Sequence, residues 1–182
     1  MEKGSSPLAN TCSFTGIKPF MTDLPYPPIQ VGGKNEAYAN LLSIDYCGSV
    51  SELSAITQYI NNENRISCEN CSLAKTFLGI AVAEMMHLQK LGEMIVLLGG
   101  NVGFTAKYRN GSRKMWTPGY LTLPEDTGNM IRANIEAEKA AIEQYAMHIK
   151  MIRDEDVDAV LERIIQDEEY HIMLLQYLMK EL

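Results

Sequence analysis

Two parts of the chain repeat one pattern of residues. The sequence ELSAITQY at residues 52–59 is followed by EMMH at 84–87, and EKAAIEQY at 138–145 is followed by EEYH at 168–171. Each part therefore reads Glu-x-x-Ala-Ile-x-Gln-Tyr and then Glu-x-x-His. The second Glu follows the first by 32 positions in one part and by 30 in the other. This repetition indicates two matching halves of a single site.

The residues around these motifs have the spacing of helices. Apolar residues recur near the helical period and predict helices over about 35–61, 72–98, 127–153 and 155 to the C-terminus. Gly48 is interpreted as a weak point inside the first of these helices. The first-to-second and third-to-fourth connections are short, whereas residues 101–125 form a long connection rich in glycine and proline. The pattern predicts an all-α four-helix bundle with a long crossover between helices 2 and 3.

The first 33 residues differ in composition from the rest of the chain. They are rich in glycine, serine and proline, and Pro25, Pro27 and Pro28 exclude a helix there and favour extended backbone. We therefore expect an extended N-terminal arm over residues 1–33 and the helical bundle over 34–182. The aromatic and apolar residues of the arm indicate that it packs on this bundle or on a neighbouring subunit.

The predicted bundle carries acidic residues on its apolar faces. Two residues three positions apart on a helix lie on one face, so the Glu and His of each Glu-x-x-His motif can reach the same ion. Burying four neighbouring carboxylates is prohibitive unless cations compensate them, and two divalent cations give formal neutrality. Mixed oxygen and nitrogen ligands suit iron or manganese equally. We predict a dinuclear iron or manganese site with these six ligands: Glu52, Glu84, His87, Glu138, Glu168 and His171.

One ligand has a rival nearby. Glu136 lies 32 positions before Glu168 and so reproduces the spacing of the first half. The eight-residue match nevertheless aligns Glu138 with Glu52, and a connection shorter by two residues explains the difference. We therefore prefer Glu138.

Other polar residues near the motifs receive different expectations. Tyr59 and Tyr145 stand about two helical turns beyond the first Glu of their own half. Each could donate a hydrogen bond to a ligand carboxylate or simply pack in the core. His148 lies off the ligand face and is expected not to bind metal, and Glu143 and Glu169 are expected to face solvent or a neighbouring helix.

The bulk properties restrict the class of protein. A chain of 182 residues fits one domain, and a formal charge of −7 argues against a nucleic-acid partner. The N-terminus lacks the apolar stretch of a secretory signal, and no uninterrupted apolar run approaches membrane-spanning length. We therefore expect a cytoplasmic protein with neither a nucleic-acid nor a membrane partner.

The four cysteines, at positions 12, 47, 68 and 71, are not expected to form a disulfide framework. Cys68 and Cys71 form a single C-x-x-C, whereas a rubredoxin-type or zinc-ribbon site requires a second such pair. We interpret them as thiols in a loop that leads into a helix, with a metal or redox role as the alternative.

Over about residues 35–182 the chain resembles the ferritin-like superfamily of di-iron and di-manganese carboxylate proteins. Residues 52–59 together with 84–87 resemble the corresponding helices of bacterioferritin. YCG at 46–48 running into SEL at 51–53, NIEAE at 134–138 and the Pro-rich arm resemble the manganese catalases and their spore-coat relatives. Rubrerythrins are similar in the bundle, but this chain lacks the paired C-x-x-C of their rubredoxin domain. Ala141 also stands where rubrerythrins carry an additional Glu.

The resemblance implies roles for the candidate residues. The direct ligands would be Glu52, Glu84, His87, Glu138 and His171, with Glu84 bridging the metals. Glu168 would be a second bridging ligand in an iron-type site or an outer-sphere, proton-handling group in a site of the manganese-catalase type. We therefore count Glu168 among the catalytic candidates, together with Tyr59 and Tyr145. Met85 falls where bacterioferritins place a haem-binding Met, but nothing else in the sequence indicates haem.

The resemblance also implies a function. We expect redox chemistry on peroxide or dioxygen in a homo-oligomer, as in manganese catalase or a rubrerythrin-like peroxidase. The alternatives are ferroxidase and iron storage, and a non-catalytic, metal-stabilised coat or scaffold protein.

Overall fold

The computed structural model describes residues 12–182. Within this range the α-helices are α1 (Glu36–Cys47), α2 (Glu52–Ile66), α3 (Cys71–Leu97), α4 (Thr127–Met151) and α5 (Glu155–Lys180). α2 packs on α3, α4 packs on α5, and α1 also packs on α3. The fold is a ferritin-like four-helix bundle in which α1 and α2 together occupy the first position, so the predicted fold class is confirmed.

The prediction of one continuous helix over 35–61 is wrong, because the chain breaks between α1 and α2. The backbone of Gly48 is extended (φ −76°, ψ −166°), and a Cβ atom added there would lie 2.6 Å from the carbonyl oxygen of Ile44. Ser51 then caps α2, accepting a hydrogen bond from the amide of Ser54 and donating one to the carbonyl of Gly48. The break places Glu52 at the first position of α2.

Each helix starts where a short polar side chain satisfies its free amide groups. An Asn, Ser or Asp stands immediately before every α-helix and accepts a backbone hydrogen bond from its first turn; these residues are Asn35, Ser51, Asn70, Asp126 and Asp154. Replacing such a cap by Ala typically costs about 1 kcal/mol. The caps therefore fix the register of the helices that carry the candidate ligands.

Residues 98–126 join α3 to α4. They contain an antiparallel hairpin of β1 (Thr105–Lys107) and β2 (Arg113–Met115), followed by one turn of 3-10 helix at Pro118–Tyr120. Three hydrogen bonds of 2.7–3.0 Å fasten this connection to α2: Trp116 Nε1 to Ser54 Oγ, the Thr122 amide to Gln58 Oε1, and Arg65 Nη1 to the Pro124 carbonyl. The connection is consequently held against α2.

Two apolar clusters lie toward the two ends of the bundle. One is built around Leu42, Leu91 and Leu161, and the other around Phe77 and Ile131. Fully burying such side chains contributes about 1.5–3 kcal/mol each. Along the helices the candidate ligands fall between the two clusters, so apolar packing on both sides supports a polar centre.

The arm packs on the bundle that it precedes. Residues 12–33 contain no helix or strand. The Phe20 amide donates to the carbonyl of Gly79 over 3.0 Å, and a Cβ atom on Gly79 would lie 2.9 Å from the Phe20 ring. Residues 1–11 of the predicted arm lie outside the described range, and the division of the chain at residue 33 stays a prediction.

The cysteines are expected not to form a disulfide framework, but one pair is bonded. Cys12 is bonded to Cys71, with their Cα atoms 5.3 Å apart despite a separation of 59 positions. The pairing was not predictable from spacing, because it depends on the arm returning to the start of α3. Cys47 is a buried free thiol and Cys68 an exposed one, so the C-x-x-C pair is not the bonded pair.

α3 is long and apolar enough to span a membrane by composition alone, with a mean hydropathy of 1.2 over its most apolar window. Half of that window is buried inside the bundle, where the same helix carries Glu84 and His87. The core therefore accounts for part of its apolar character, and Met85, Val96 and Leu97 are exposed.

Candidate metal centre

The six predicted ligands meet at the middle of the bundle. α2 supplies Glu52, α3 supplies Glu84 and His87, α4 supplies Glu138, and α5 supplies Glu168 and His171. All six are at most 3% exposed. Their ligand atoms form two groups in which every atom lies within 4.8 Å of the others: Glu52, Glu84, His87 and Glu168, and then Glu84, Glu138, Glu168 and His171. Glu84 and Glu168 belong to both groups, as expected of carboxylates placed between two ions.

The first group is arranged around one imidazole nitrogen. His87 Nδ1 lies 2.8 Å from Glu84 Oε2, 3.2 Å from Glu168 Oε1 and 3.7 Å from Glu52 Oε2. The two short distances are to the shared carboxylates, and the longer one is to the carboxylate found only in this group.

The second group repeats these distances around the other imidazole. His171 Nδ1 lies 2.9 Å from Glu168 Oε2, 3.1 Å from Glu84 Oε1 and 3.8 Å from Glu138 Oε1. Each shared carboxylate therefore directs one oxygen toward each histidine. The repeat in the sequence has become an approximate twofold repeat in space.

The outer nitrogen of each imidazole has a fixed acceptor. His171 Nε2 lies 2.7 Å from the carbonyl oxygen of Phe20, and His87 Nε2 lies 3.2 Å from Asp167 Oδ2. A carbonyl can only accept, so Nε2 of His171 must carry the hydrogen, and the carboxylate of Asp167 favours the same tautomer of His87. In the neutral rings Nδ1 then directs its lone pair toward the carboxylates, as a metal ligand does.

The carboxylates do not share one electrostatic environment. Burial, followed by repulsion from Glu84 and Glu168, raises the pKa of both Glu52 and Glu138 well above the usual range. Burial also opposes ionisation of Glu84, but the attraction and hydrogen bonds of His171 and His87 outweigh it and lower its pKa. Without cations, protons must therefore compensate part of the negative charge of this cluster.

The surrounding carboxylates raise the pKa of both imidazoles. Burial, the largest single influence, would lower the pKa of each histidine, but the carboxylates together outweigh it and raise the pKa. Among them Glu168 acts most strongly on His87 and Glu84 on His171. Oε1 of Glu84 is buried, and when Nδ1 of His171 carries no hydrogen this oxygen has no hydrogen-bond donor. An unsatisfied carboxylate oxygen among converging oxygen and nitrogen donors fits a bound divalent ion.

The two candidate tyrosines cross between the halves. Tyr59 on α2 donates its hydroxyl hydrogen to Glu138 Oε1 on α4, and Tyr145 on α4 donates to Glu52 Oε1 on α2. Burial, followed by the neighbouring carboxylate, raises the pKa of both phenols well above the usual value. Both therefore stay protonated and orient the two unshared carboxylates. Their catalytic role stays a prediction.

A cavity of about 430 Å³ reaches the centre between α2 and α4. Its polar lining includes Glu52, Glu138, Glu168 and the two tyrosines, and small apolar residues such as Ala55, Ala137 and Ala141 complete the wall. Tyr120 and Thr122 of the α3–α4 connection also contribute. Neither ligand histidine lines the cavity, so a small molecule would approach the centre from the side of the carboxylates and tyrosines.

The remaining polar residues considered in the sequence lie apart from the centre. Glu136 is exposed and pairs with Lys139 over 2.8 Å, while Glu143 and Glu169 are also exposed. His148 is buried with its Nδ1 2.7 Å from Asp45 Oδ2, outside both ligand groups.

The sequence interpretation missed Asp167. This carboxylate contacts His87, and Arg163, one turn earlier on α5, lies 2.7 Å from it. Hydrogen bonds, with the buried imidazole of His87 the strongest, outweigh burial and lower the pKa of Asp167. A usable signal was present, because an acidic residue stands directly before the second Glu-x-x-His motif, with an Arg four positions earlier on the same helical face.

Comparison with known proteins agrees with this geometry. Residues 48–179 match the model of the rubrerythrin family. A probable manganese catalase from Clostridium acetobutylicum is 26% identical over an alignment 165 residues long, and the match covers 81% of this chain and 72% of that protein. The crystal structure of a manganese catalase from Anabaena superposes with a TM-score of 0.78 at 26% identity, covering 89% of this chain and 80% of the catalase.

A more distant structure shows the same fold. Bacterioferritin from Rhodobacter capsulatus, solved with a metal-free dinuclear site and haem iron, has a TM-score of 0.66 at 20% identity, covering 81% of this chain and 86% of that one. The family match spans more than half of the chain, and the structural neighbours share its bundle. This chain belongs to the rubrerythrin family, within the ferritin-like superfamily of di-metal carboxylate proteins.

Proposed function

We propose that this protein is an oxidoreductase that disproportionates hydrogen peroxide at a dinuclear manganese or iron site. The observation that carries the proposal is the pair of overlapping ligand groups that share Glu84 and Glu168. The similarity to manganese catalases from two organisms supports peroxide as the substrate. The net reaction converts two molecules of hydrogen peroxide into two of water and one of dioxygen.

Each residue has a role in this proposal. His87 and Glu52 would hold one metal, His171 and Glu138 the other, and Glu84 and Glu168 would bridge them. When bound, the two ions supply the exchange of two electrons with peroxide. The hydroxyl groups of Tyr59 and Tyr145 hold Glu138 and Glu52 in place, and the cavity admits peroxide between α2 and α4.

Glu168 has two candidate roles, as a metal ligand and as a proton-handling group. Its Oε1 and Oε2 lie 3.2 Å and 2.9 Å from Nδ1 of His87 and His171, respectively. These distances match those of Glu84 and support a bridging role. Glu168 also lines the cavity, which supports the second role, in which its carboxylate would accept a proton from incoming peroxide.

We also propose a cytoplasmic homo-oligomer. Exposed apolar side chains on α3, including Met85, Val96 and Leu97, supply a surface that association would cover. In a reducing compartment a bond such as Cys12–Cys71 would be transient or redox-sensing rather than permanent. Light scattering measures the subunit number directly.

The proposal is tested by elemental analysis of the natively purified protein together with oxygen evolution from hydrogen peroxide. We expect two manganese or iron ions per chain and oxygen release that Glu84→Ala abolishes. Glu143→Ala, which removes an exposed carboxylate, is the matched control and should change neither quantity. Two bound metals without oxygen release would favour the scaffold alternative, and a closed shell containing iron mineral would favour storage; either result would overturn the peroxide proposal.

A further inference from the structure

We propose that the N-terminal arm, residues 12–33, is a positioning element of the metal centre, and that the Cys12–Cys71 disulfide controls how firmly the metal beside His171 is held. This inference rests on the proposed metal site and adds a redox-dependent element to it. The arm holds the outer nitrogen of His171, and the disulfide fastens the start of the arm to the first residue of α3.

The first contact is made by the main chain of the arm. The carbonyl of Phe20 accepts the hydrogen of His171 Nε2 over 2.7 Å, while the amide of Phe20 donates to the carbonyl of Gly79 over 3.0 Å. The Phe20 ring occupies the space that a side chain at position 79 would need. The arm thereby fixes the imidazole in the tautomer that leaves Nδ1 free to bind metal.

The second contact is made through Asp167. Oδ1 of this carboxylate accepts from the amide and hydroxyl of Thr22 over 2.8 and 2.9 Å, and Oδ2 accepts from the Tyr26 hydroxyl over 2.8 Å. Oδ2 is also the group that faces His87 Nε2. The arm is therefore connected to both imidazoles, directly to His171 and through Asp167 to His87.

The two connections differ in their dependence on the arm. Asp167 belongs to α5 and is held by Arg163 on the same helix, 2.7 Å away, so His87 keeps its acceptor when the arm leaves. His171 has no such substitute among its contacts in the described residues, because its Nε2 acceptor belongs to the arm itself. Loss of the arm should consequently weaken metal binding at His171 more than metal binding at His87.

The Cys12–Cys71 disulfide would control whether the arm stays beside His171. Phe20 follows Cys12 by eight positions, so the bond to Cys71 restrains the arm close to its contact with His171. A dithiol reductant breaks the S–S bond to give two thiols and is itself oxidised to a disulfide. Hydrogen peroxide, the proposed substrate, restores the bond: two thiols and one peroxide give one disulfide and two waters. The arm would thus be fastened when peroxide is abundant and released when it is scarce.

The test follows metal release from the loaded full-length protein into an excess of chelator. In the oxidised wild type we expect both metals to leave slowly. In Cys12→Ser, and in wild type treated with dithiothreitol, we expect one metal per chain to leave about 10–100-fold faster, the range typical of lost support behind a ligand. Cys68→Ser removes an exposed free thiol and is the matched control, with release as in wild type.

Limited proteolysis of residues 12–33 on the same samples shows whether the arm is released. Unchanged release of both metals from a protein with a protease-sensitive arm would overturn the proposal, and so would equal acceleration of both. If wild type binds no metal, the proposed function fails separately. The positioning role of the arm is then tested by the nitrogen chemical shifts of His171. These shifts should report hydrogen on Nε2 in the oxidised protein and a mixture of tautomers after reduction. Identical shifts in the two states would overturn the proposal.

Discussion

The half of the centre that contains His87 and the half that contains His171 have the same ligands in different surroundings. Distances from Nδ1 to the three carboxylates agree within 0.1 Å between the halves: 2.8, 3.2 and 3.7 Å in one, 2.9, 3.1 and 3.8 Å in the other. The outer acceptors differ, since His87 faces a carboxylate and His171 a main-chain carbonyl. Two ions require matched ligands, whereas the groups behind those ligands are free to diverge.

The halves also differ beside the cavity. Near Tyr145, Gln144 donates to Asp45 over 2.7 Å, and the same carboxylate meets His148. At the equivalent place near Tyr59 the partners are neutral amides: Gln58 and Asn62 both donate to Asn134 Oδ1, over 2.8 and 3.3 Å. The side of the centre near Tyr145 therefore has titratable neighbours, whereas the side near Tyr59 has amides. This difference should make the two metal positions chemically unequal.

The largest expected effect separates shared from unshared ligands. Glu84→Gln removes a carboxylate that both ligand groups use, so we expect metal content to fall from two ions per chain to nearly none. Glu138→Gln affects one group only, and we expect one ion to remain. Elemental analysis after gel filtration distinguishes these outcomes, and equal losses in the two variants would contradict the assignment of Glu84 as the shared ligand.

A smaller effect is expected from Asp167→Asn. The amide keeps the shape of the side chain but weakens the acceptor behind His87, so the metal in that half should bind about 10–100-fold more weakly. The metal beside His171 should change less, although Asp167 also holds Thr22 and Tyr26 of the arm. Competition with a chelator measures both affinities, and Asp158→Asn on the same helix is a control that leaves both unchanged.

The tyrosines should behave alike. Tyr59→Phe and Tyr145→Phe each remove one hydroxyl hydrogen bond to an unshared carboxylate, and each should lower the rate of oxygen evolution by about tenfold. Because the bonds cross between the halves, Tyr59→Phe should loosen the metal bound by Glu138, and Tyr145→Phe the metal bound by Glu52. Loss of the metal in the same half as the substituted tyrosine would refute the crossed arrangement.

The smallest effects are expected beside the cavity. Asp45→Asn replaces the carboxylate that meets His148, and the free energy of unfolding should fall by about 1 kcal/mol. Asn62→Ala removes only a 3.3 Å bond between amides and should cost about 0.5 kcal/mol. Urea denaturation of the metal-free proteins measures both losses. A larger loss for Asn62→Ala would contradict the expectation that the Asp45–His148 contact stabilises the fold more than the amide contact does.

The parts of the fold that could be predicted from sequence are those with local causes. Helical spacing predicted the bundle, and the repeated motif selected the six residues that the structure brings together. The break at Gly48 is an exception, because it also has local causes: the backbone at Gly48 lies too close to the Ile44 carbonyl for a Cβ atom, and Ser51 caps the next helix.

The remaining features depend on contacts between distant parts of the chain. Phe20 meets His171 across 151 positions, Tyr26 meets Asp167 across 141, and Cys12 meets Cys71 across 59. No repeat or spacing in the sequence connects these pairs. The crossing of the tyrosines likewise required the packing of α2 against α4, which the repeated octapeptide alone does not determine.

The central claim is that this bundle holds two metal ions between Glu84 and Glu168, one beside each imidazole. Anomalous X-ray diffraction from crystals of the natively purified protein, collected at the manganese and iron absorption edges, tests it most directly. We predict two peaks per chain, one next to Nδ1 of His87 and one next to Nδ1 of His171, with both shared carboxylates between them. A single peak, or none, within this cluster would contradict the account.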